Sequence, residues 1–261
     1  LIIWIVVVAL AGLMVLLYMY WEAHREIVLE KRFVFPDLPS AFEGFTFFFI
    51  SDIHRRRVSQ ELLSRIGRPE VIVIGGDLTE HGVPFSRVDE NLEKLGRFGV
   101  PILFVWGNHD LYVDRARLLE LFNKHRVVVL ENDVYIIRRD RSALNFIGVG
   151  DTSNNMDRLE DALARVAPGF RLLISHNPEI GVKIRPDDDI SLVVSGHTHG
   201  GQIRLFGWGP REAGGVKRRP FGTLVISNGY GTTRFPLRLG APPDTLLIRL
   251  YREEKSLANE E

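Results

Sequence analysis

The 261-residue chain reads as an α/β domain of mixed β-sheets with helices outside, preceded by one membrane-spanning helix. Three observations predict this. Short apolar runs alternate with helical patterns early in the chain, the last third is mostly strand, and residues 1–20 carry no charge. The rest of the composition is that of an ordinary globular protein, 45% hydrophobic and 25% charged. Lys plus Arg and Asp plus Glu balance at 33 each, which argues against a nucleic-acid partner. The absence of cysteine excludes disulfides, thiolate zinc sites and a cysteine nucleophile. Any metal must therefore be held by His, Asp, Glu or Asn.

The opening "LIIWIVVVALAGLMVLLYMY" spans about 30 Å as a helix, one hydrocarbon core. Tyr18, Tyr20 and Trp21 cluster where an aromatic belt lies. A signal peptide cut at Ala9-Leu10-Ala11 would leave "GLMVLLYMY" on the mature end, so residues 1–21 are read as an uncleaved anchor. The chain begins with Leu1, which leaves room for residues upstream. Arg25, Lys31 and Arg32 follow the span and favour a cytoplasmic catalytic domain. Residues 22–43 read as a polar connector closed by Pro36, Pro39 and Gly44; residues 44–252 fit one domain, and 253–261 form a polar tail.

Apolar runs predict strands at 45–50, 71–74, 102–105, 127–130, 134–137, 144–149, 172–174, 190–194, 224–226 and 246–250. Helical patterns lie at 60–66, 87–98, 113–124 and 156–166.

The chemistry sits where these strands end. The run at 45–50 exits into Ser51-Asp52-Ile53-His54, and that at 71–74 into Gly75-Gly76-Asp77-Leu78-Thr79-Glu80. Three more exits read Gly107-Asn108-His109-Asp110, Ser175-His176-Asn177 and Gly196-His197-Thr198-His199. Ligands of α/β sheets bind at the carboxyl ends of strands. One such Asp or His is most often a turn or cap residue; five exits in register are not explained that way. His197 and His199, two apart in "VSGHTHGGQ", share one side if the chain stays extended. Asp, Asn and His together suit manganese, iron or zinc, and there are enough of them for two ions. Two ions about 3.5–4 Å apart clamp the attacking and leaving oxygens of an in-line displacement, which is phosphoester chemistry.

D-x-H, G-D, G-N-H-D, a lone His and G-H-T-H, in this order from about Phe45 to Leu250, resemble the calcineurin-like metallophosphoesterase family. The tail "SNGYGTTRFPLRLGAPPDTLLIRL", with "GHTHGGQIRLFGWGP", is similar to its membrane-associated bacterial phosphodiesterase branch, which includes UDP-2,3-diacylglucosamine hydrolases. The resemblance implies a four-layer αββα sandwich of two mixed β-sheets. It implies that Asp52, His54 and His199 hold one divalent ion and that Asn108, His176 and His197 hold a second, with Asp77 bridging. Manganese is the expected metal, with iron or zinc as alternatives. A hydroxide shared by the ions would attack phosphorus, and His109 would protonate the leaving oxygen or steady charge on the phosphoryl group. Glu80 stands where relatives commonly carry an Asp that orients the G-N-H histidine.

Arg55, Arg56 and Arg57 replace a glycine common in the family; they are either substrate-binding forks or a solvated basic loop. Asp187-Asp188-Asp189 reads as a solvated acidic turn, and Gly150-Asp151 as a further pocket candidate. The expected function is membrane-anchored hydrolysis of a phosphodiester or pyrophosphate bond, with a lipid-linked or nucleotide-lipid substrate. A phosphoprotein phosphatase is the rival enzyme. A partner-binding scaffold of the same fold should have lost ligands, whereas all seven positions are filled.

Overall fold

A computed structural model describes residues 1–253, so the polar tail from residue 254 onward lies outside the described residues. Two six-stranded mixed sheets face each other. In the first, the order is β1 (Val28–Phe35), β12 (Thr245–Arg252), β2 (Phe45–Ile50), β3 (Val71–Ile74), β4 (Ile102–Phe104) and β5 (Val127–Val129). Every neighbouring pair is parallel except β12 with β2. In the second, the order is β10 (Gly215–Arg219), β11 (Gly222–Ile226), β9 (Leu192–Ser195), β8 (Phe170–Ile174), β7 (Ser142–Gly148) and β6 (Asp133–Arg139). Here the two outermost pairs are antiparallel and the inner ones parallel.

The period-2 alternation of a strand decides which side chains go where. Phe45, Phe47 and Phe49 point between the sheets and meet Phe146, Leu172 and Val194. The rings of Phe47 and Phe146 pack edge-on with centroids 5.4 Å apart. The intervening Phe48 and Ile50 face outward, beneath α2 (Gln60–Arg65), α3 (Phe85–Gly96) and α4 (Arg115–Lys124). Those helices return Leu62, Leu92 and Phe122 to the same cluster. On the far side Ile147, Leu173 and Val193 are covered by α5 (Leu159–Leu163). The result is the αββα sandwich. Because β2 is buried on both faces it reads as an apolar run broken only by Thr46, and each buried Phe contributes about 1.5–3 kcal/mol. Two helix starts are set by caps: Ser59 accepts from the Leu62 amide, and Asp114 from that of Arg117.

The segment expected to be a polar connector differs. Residues 28–35 form β1, an edge strand in register with β12. Leu29 and Phe33 pack on the inter-sheet core and Phe35 is buried in it, while Glu30 and Arg32 point to solvent. The charges mask the alternation in the sequence, and in the sheet they blunt an otherwise open edge.

At the N-terminus, α1 (Ile2–Ala23) is long and apolar enough to cross a membrane. Only Met19, Glu22 and Ala23 of it are buried, against the domain.

Candidate active site

The seven sequence-predicted metal ligands converge at the carboxyl ends of β2, β3, β4, β8 and β9, where the two sheets meet. Nε2 of His54 and Nε2 of His199 lie 3.1 Å apart, and Asp52 Oδ1 is 3.3 Å from the latter. Beside them, His197 Nδ1 lies 3.0 Å from Asn108 Oδ1 and 3.2 Å from His176 Nε2. Asp77 joins the groups: its Oδ2 is 3.7 Å from His54 Nε2 and 3.3 Å from His176 Nε2. Asp52, His54, Asp77, His176 and His199 are buried; Asn108 and His197 are half-buried and open to solvent on one side.

Sharp turns bring these side chains in. Asp52, His54, Asp77, His197 and His199 all have positive φ, between 50° and 68°, a region that non-glycine residues rarely occupy. Such strain persists only where surrounding contacts fix it, and it concentrates at functional sites. Asp110 supplies much of that fixing. Its carboxylate accepts from the amides of Asp77, Thr79 and Gly107 at 2.7–3.0 Å, tying the β3 and β4 exits together. A side chain at Gly107 would put its Cβ 2.2 Å from Asp77 Oδ1, so only glycine lets the two turns touch. Asp52 accepts from the His197 amide, linking the sheets.

The far side of each ring sets its electrostatics. His176 Nδ1 donates to the Gly75 carbonyl at 2.9 Å, which leaves Nε2 to face Asp77. Burial opposes charge on His176, yet the Asp77 carboxylate pushes it up to about 10. Burial likewise opposes ionisation of Asp77, but His176 and His54 hold it far below the carboxylate range. On the other two rings a guanidinium stands behind. Arg211 lies 3.0 Å from His197 Nε2, and Arg238 lies 3.3 Å from His199 Nδ1. Burial, with His54 and Arg238 adding to it, holds His199 down to about 3. Burial opposes ionisation of Asp52 too, but His199 and His176 hold it below the carboxylate range, so the site buries two ionised carboxylates that need cationic charge beside them, from a protonated ring or an ion.

Divalent metals fit this donor set. A proton can be shared by two of these atoms, whereas an ion can join three or four at once. Asp52, His54 and His199 make one group with metal-ligand spacing, and Asp52, Asp77 and His176 make another. Oxygen and imidazole donors suit manganese, iron or zinc.

His109 is half-buried; its amide donates to Asp77 Oδ1 at 2.8 Å and its ring stands edge-on to His54 with centroids 4.9 Å apart. Glu80, expected to orient His109, makes its direct contacts with His54 and Arg55. Its Oε2 lies 3.2 Å from His54 Nδ1, and its Oε1 pairs with Arg55. A Glu80 oxygen also lies within 4.8 Å of a His109 ring nitrogen, so the carboxylate stands beside both rings and is nearest that of His54. Burial opposes the shift, but His54 and Arg55 bring Glu80 down to about 2.

The arginine run is spent on structure. Arg55 pairs with Glu80, Arg57 with Glu90 at 2.9 Å, and Arg56 stacks on Tyr230 while donating to the carbonyls of His24 and Arg25. None of the three lines the cavity over the ligands. Asp188 caps its own turn through the Arg185 amide, and Asp151 caps Asn154.

That cavity, of about 510 Å³, has Asp77, Asn108, His109, His197 and His199 in its wall and Gln202, Arg211, Thr233, Arg234 and Phe235 around it. Arg211 and Arg234 are cations that the sequence reading missed. They come from irregular segments after β9 and β11, with no strand exit to flag them. Asp110 was visible in G-N-H-D but carried no assigned role, and Arg238 is a buried arginine without any local signal.

Residues 45–201 match the family of calcineurin-like phosphoesterases, and the chain belongs to that family. It is a metal-dependent phosphoester hydrolase. It is 45% identical over 212 residues to YpbG of Bacillus subtilis (strain 168), covering 80% of this chain and 82% of that one. To phosphodiesterase YaeI of Escherichia coli (strain K12) it is 28% identical, over 86% of this chain and 88% of the relative. Among solved structures, the sulfate thiohydrolase SoxB of Thermus thermophilus shares the fold with a TM-score of 0.52 at 17% identity. That match covers 82% of this chain and 58% of the other.

Proposed function

We propose that this chain is a membrane-anchored, dinuclear phosphodiesterase acting on a phosphodiester or pyrophosphate bond of a lipid-linked or nucleotide-lipid substrate. One observation carries the reading: two groups of ligand atoms, joined through Asp77 Oδ2, lie beside one cavity with a basic rim. Asp52, His54 and His199 would hold the first ion, Asn108, His176 and His197 would hold the second, and Asp77 would serve both. Manganese is the metal proposed.

When bound, the two ions supply Lewis acidity to a phosphoryl group and lower the pKa of water. The chain's residues do the rest. Glu80 Oε2 stands 3.2 Å behind His54 Nδ1 and the Gly75 carbonyl accepts from His176 Nδ1, and both rings present Nε2 inward. The His109 backbone is held by Asp77, which keeps its imidazole at the cavity wall, where it donates a proton to the leaving oxygen. His197 turns Nδ1 towards Asn108 and His176 and Nε2 towards Arg211, so as a ligand of the second ion it would carry its proton on Nε2. Two donors then oppose each other. Arg211 is exposed and would be free to turn towards the phosphate oxygens, which match its fork.

The anchor reading is supported by α1, and Arg25, Lys31 and Arg32 support a cytoplasmic face. Turnover of bis(p-nitrophenyl) phosphate, p-nitrophenyl phosphate and a phosphopeptide tests the reading. The diester is the expected best substrate of the three. Cleavage confined to the phosphopeptide would replace it with a phosphoprotein phosphatase.

A further inference from the structure

Residues 203–208 carry apolar side chains that the sandwich does not use. Leu205 and Trp208 exchange both backbone hydrogen bonds at 2.9 Å, closing a two-residue turn over Phe206 and Gly207. Both turn residues have positive φ, 52° and 81°, as in the tight turns that join hairpin strands. Glycine takes that conformation freely; a phenylalanine does so under strain. The turn nevertheless places Phe206 at its tip, fully exposed, beside Trp208 at 77% and Leu205 at 56% exposure. The turn is pinned. Arg204 spreads its guanidinium over the carbonyls of Gly200, Gly207 and Arg211 at 2.6–3.0 Å. Phe235, 71% exposed, stands at the root, where Gln202 donates to its carbonyl. A rigid loop that shows this much aromatic surface to water is unusual for a soluble face, and such patches mark interaction sites.

Its position says what it meets. The strand of chain at 202–204 pairs with Leu239: Leu239 N donates to Gln202 O, and Arg204 N to Leu239 O. The adjacent Arg238 amide donates to the Met19 carbonyl of α1 at 3.0 Å. Met19 lies among Tyr18, Tyr20 and Trp21, the aromatic cluster at the domain end of the apolar helix. Backbone hydrogen bonds thus tie the hairpin, in two steps, to the level of α1 where a bilayer's headgroups would lie. Arg211 and Arg234 flank it, at the cavity rim, where lipid phosphates would be.

We infer that the 203–208 hairpin, with Phe235, inserts into the headgroup region of the same membrane that α1 crosses and holds the mouth of the active site against the lipid surface. The occupant of this apolar face is the bilayer. The cavity then opens onto lipid phosphates rather than bulk water, and Arg211 and Arg234 meet them first. This rests on the membrane-anchor reading of α1, so the experiment must separate the two.

The chain's lack of cysteine makes that direct. Single cysteines at Phe206→Cys, Trp208→Cys, Leu16→Cys and Arg141→Cys each carry an environment-sensitive fluorophore in the full chain. The labelled chains sit in vesicles of phosphatidylethanolamine and phosphatidylglycerol. Arg141 lies in the turn between β6 and β7, at the end of the second sheet away from the site. Brominated lipids and aqueous iodide then report depth, independently of turnover.

Labels at 206 and 208 should be quenched by the brominated lipids, at about 5–10 Å below the headgroup surface, and lose iodide access. The label at 141 should show the reverse. Free iodide access at 206 and 208 with a lipid-quenched Leu16→Cys overturns the inference and leaves the anchor standing. Access at all three removes both. Shielding from iodide without lipid quenching means that another protein chain covers the hairpin, and this too overturns it. If Phe206→Cys fails to fold, Trp208→Cys gives the same answer from the neighbouring strand position.

Discussion

Asp77 and His109 share a hydrogen bond yet differ in what their loss should do. Asp77 lies between both groups of candidate ligand atoms, so Asp77→Asn removes the charge that the proposed pair of cations would share; metal content and turnover should both collapse. His109→Ala should keep its metals while the rate falls by about 10²–10⁴-fold, the usual contribution of a positioned proton donor. That loss should shrink for a nitrophenolate leaving group, which hardly needs a proton. An equal loss for good and poor leaving groups would instead assign His109 to charge stabilisation on the phosphoryl oxygens. Glu80 belongs to a third kind. Since it stands behind His54, Glu80→Gln should lower metal affinity by about 10–100-fold, measurable by competition with a chelating dye, and excess metal should restore turnover. A rate defect that excess metal cannot correct would return Glu80 to an orienting role on His109.

At the scale of elements, the sequence made the buried strands legible because they are apolar on both faces, as β2 and β3 are. It hid β1 and β10, whose Glu30, Lys31, Arg32 and Lys217, Arg218, Arg219 fill edge positions with charge. The ligands were legible for a related reason: each follows a strand whose end is easy to see. What the turns do after those strands was not. The left-handed backbone at His54 or His199 has no composition signal, and the reach of Glu80 depends on where His54 already points. The β1 finding has a measurable consequence. A chain lacking residues 1–18 should keep its fold and its turnover of water-soluble diesters, since burial in α1 begins at Met19. Removing residues 1–37 also takes away β1 with its buried Phe35. It should cost at least about 3 kcal/mol, or roughly 6–12 °C in Tm, by the usual cost of emptying a buried Phe site. Equal melting of the two truncations would show that β1 is dispensable to the sandwich.

Across the whole molecule, neither sheet holds a complete site. The first supplies Asp52, His54, Asp77 and Asn108; the second supplies His176, His197 and His199. Metal held by the proposed ligands would therefore join the sheets and should stabilise the fold as well as enable chemistry. Each ion present at a hundred times its Kd should add about 2.7 kcal/mol. The most direct test of a dinuclear site is a titration of the chelator-stripped 261-residue chain with manganese, following bound metal, Tm and diester turnover together. Two ions per chain should bind, Tm should rise with them, and turnover should be absent without metal and complete only when both are in place. Full turnover by the metal-free chain, or saturation of both Tm and turnover at a single ion, would contradict it.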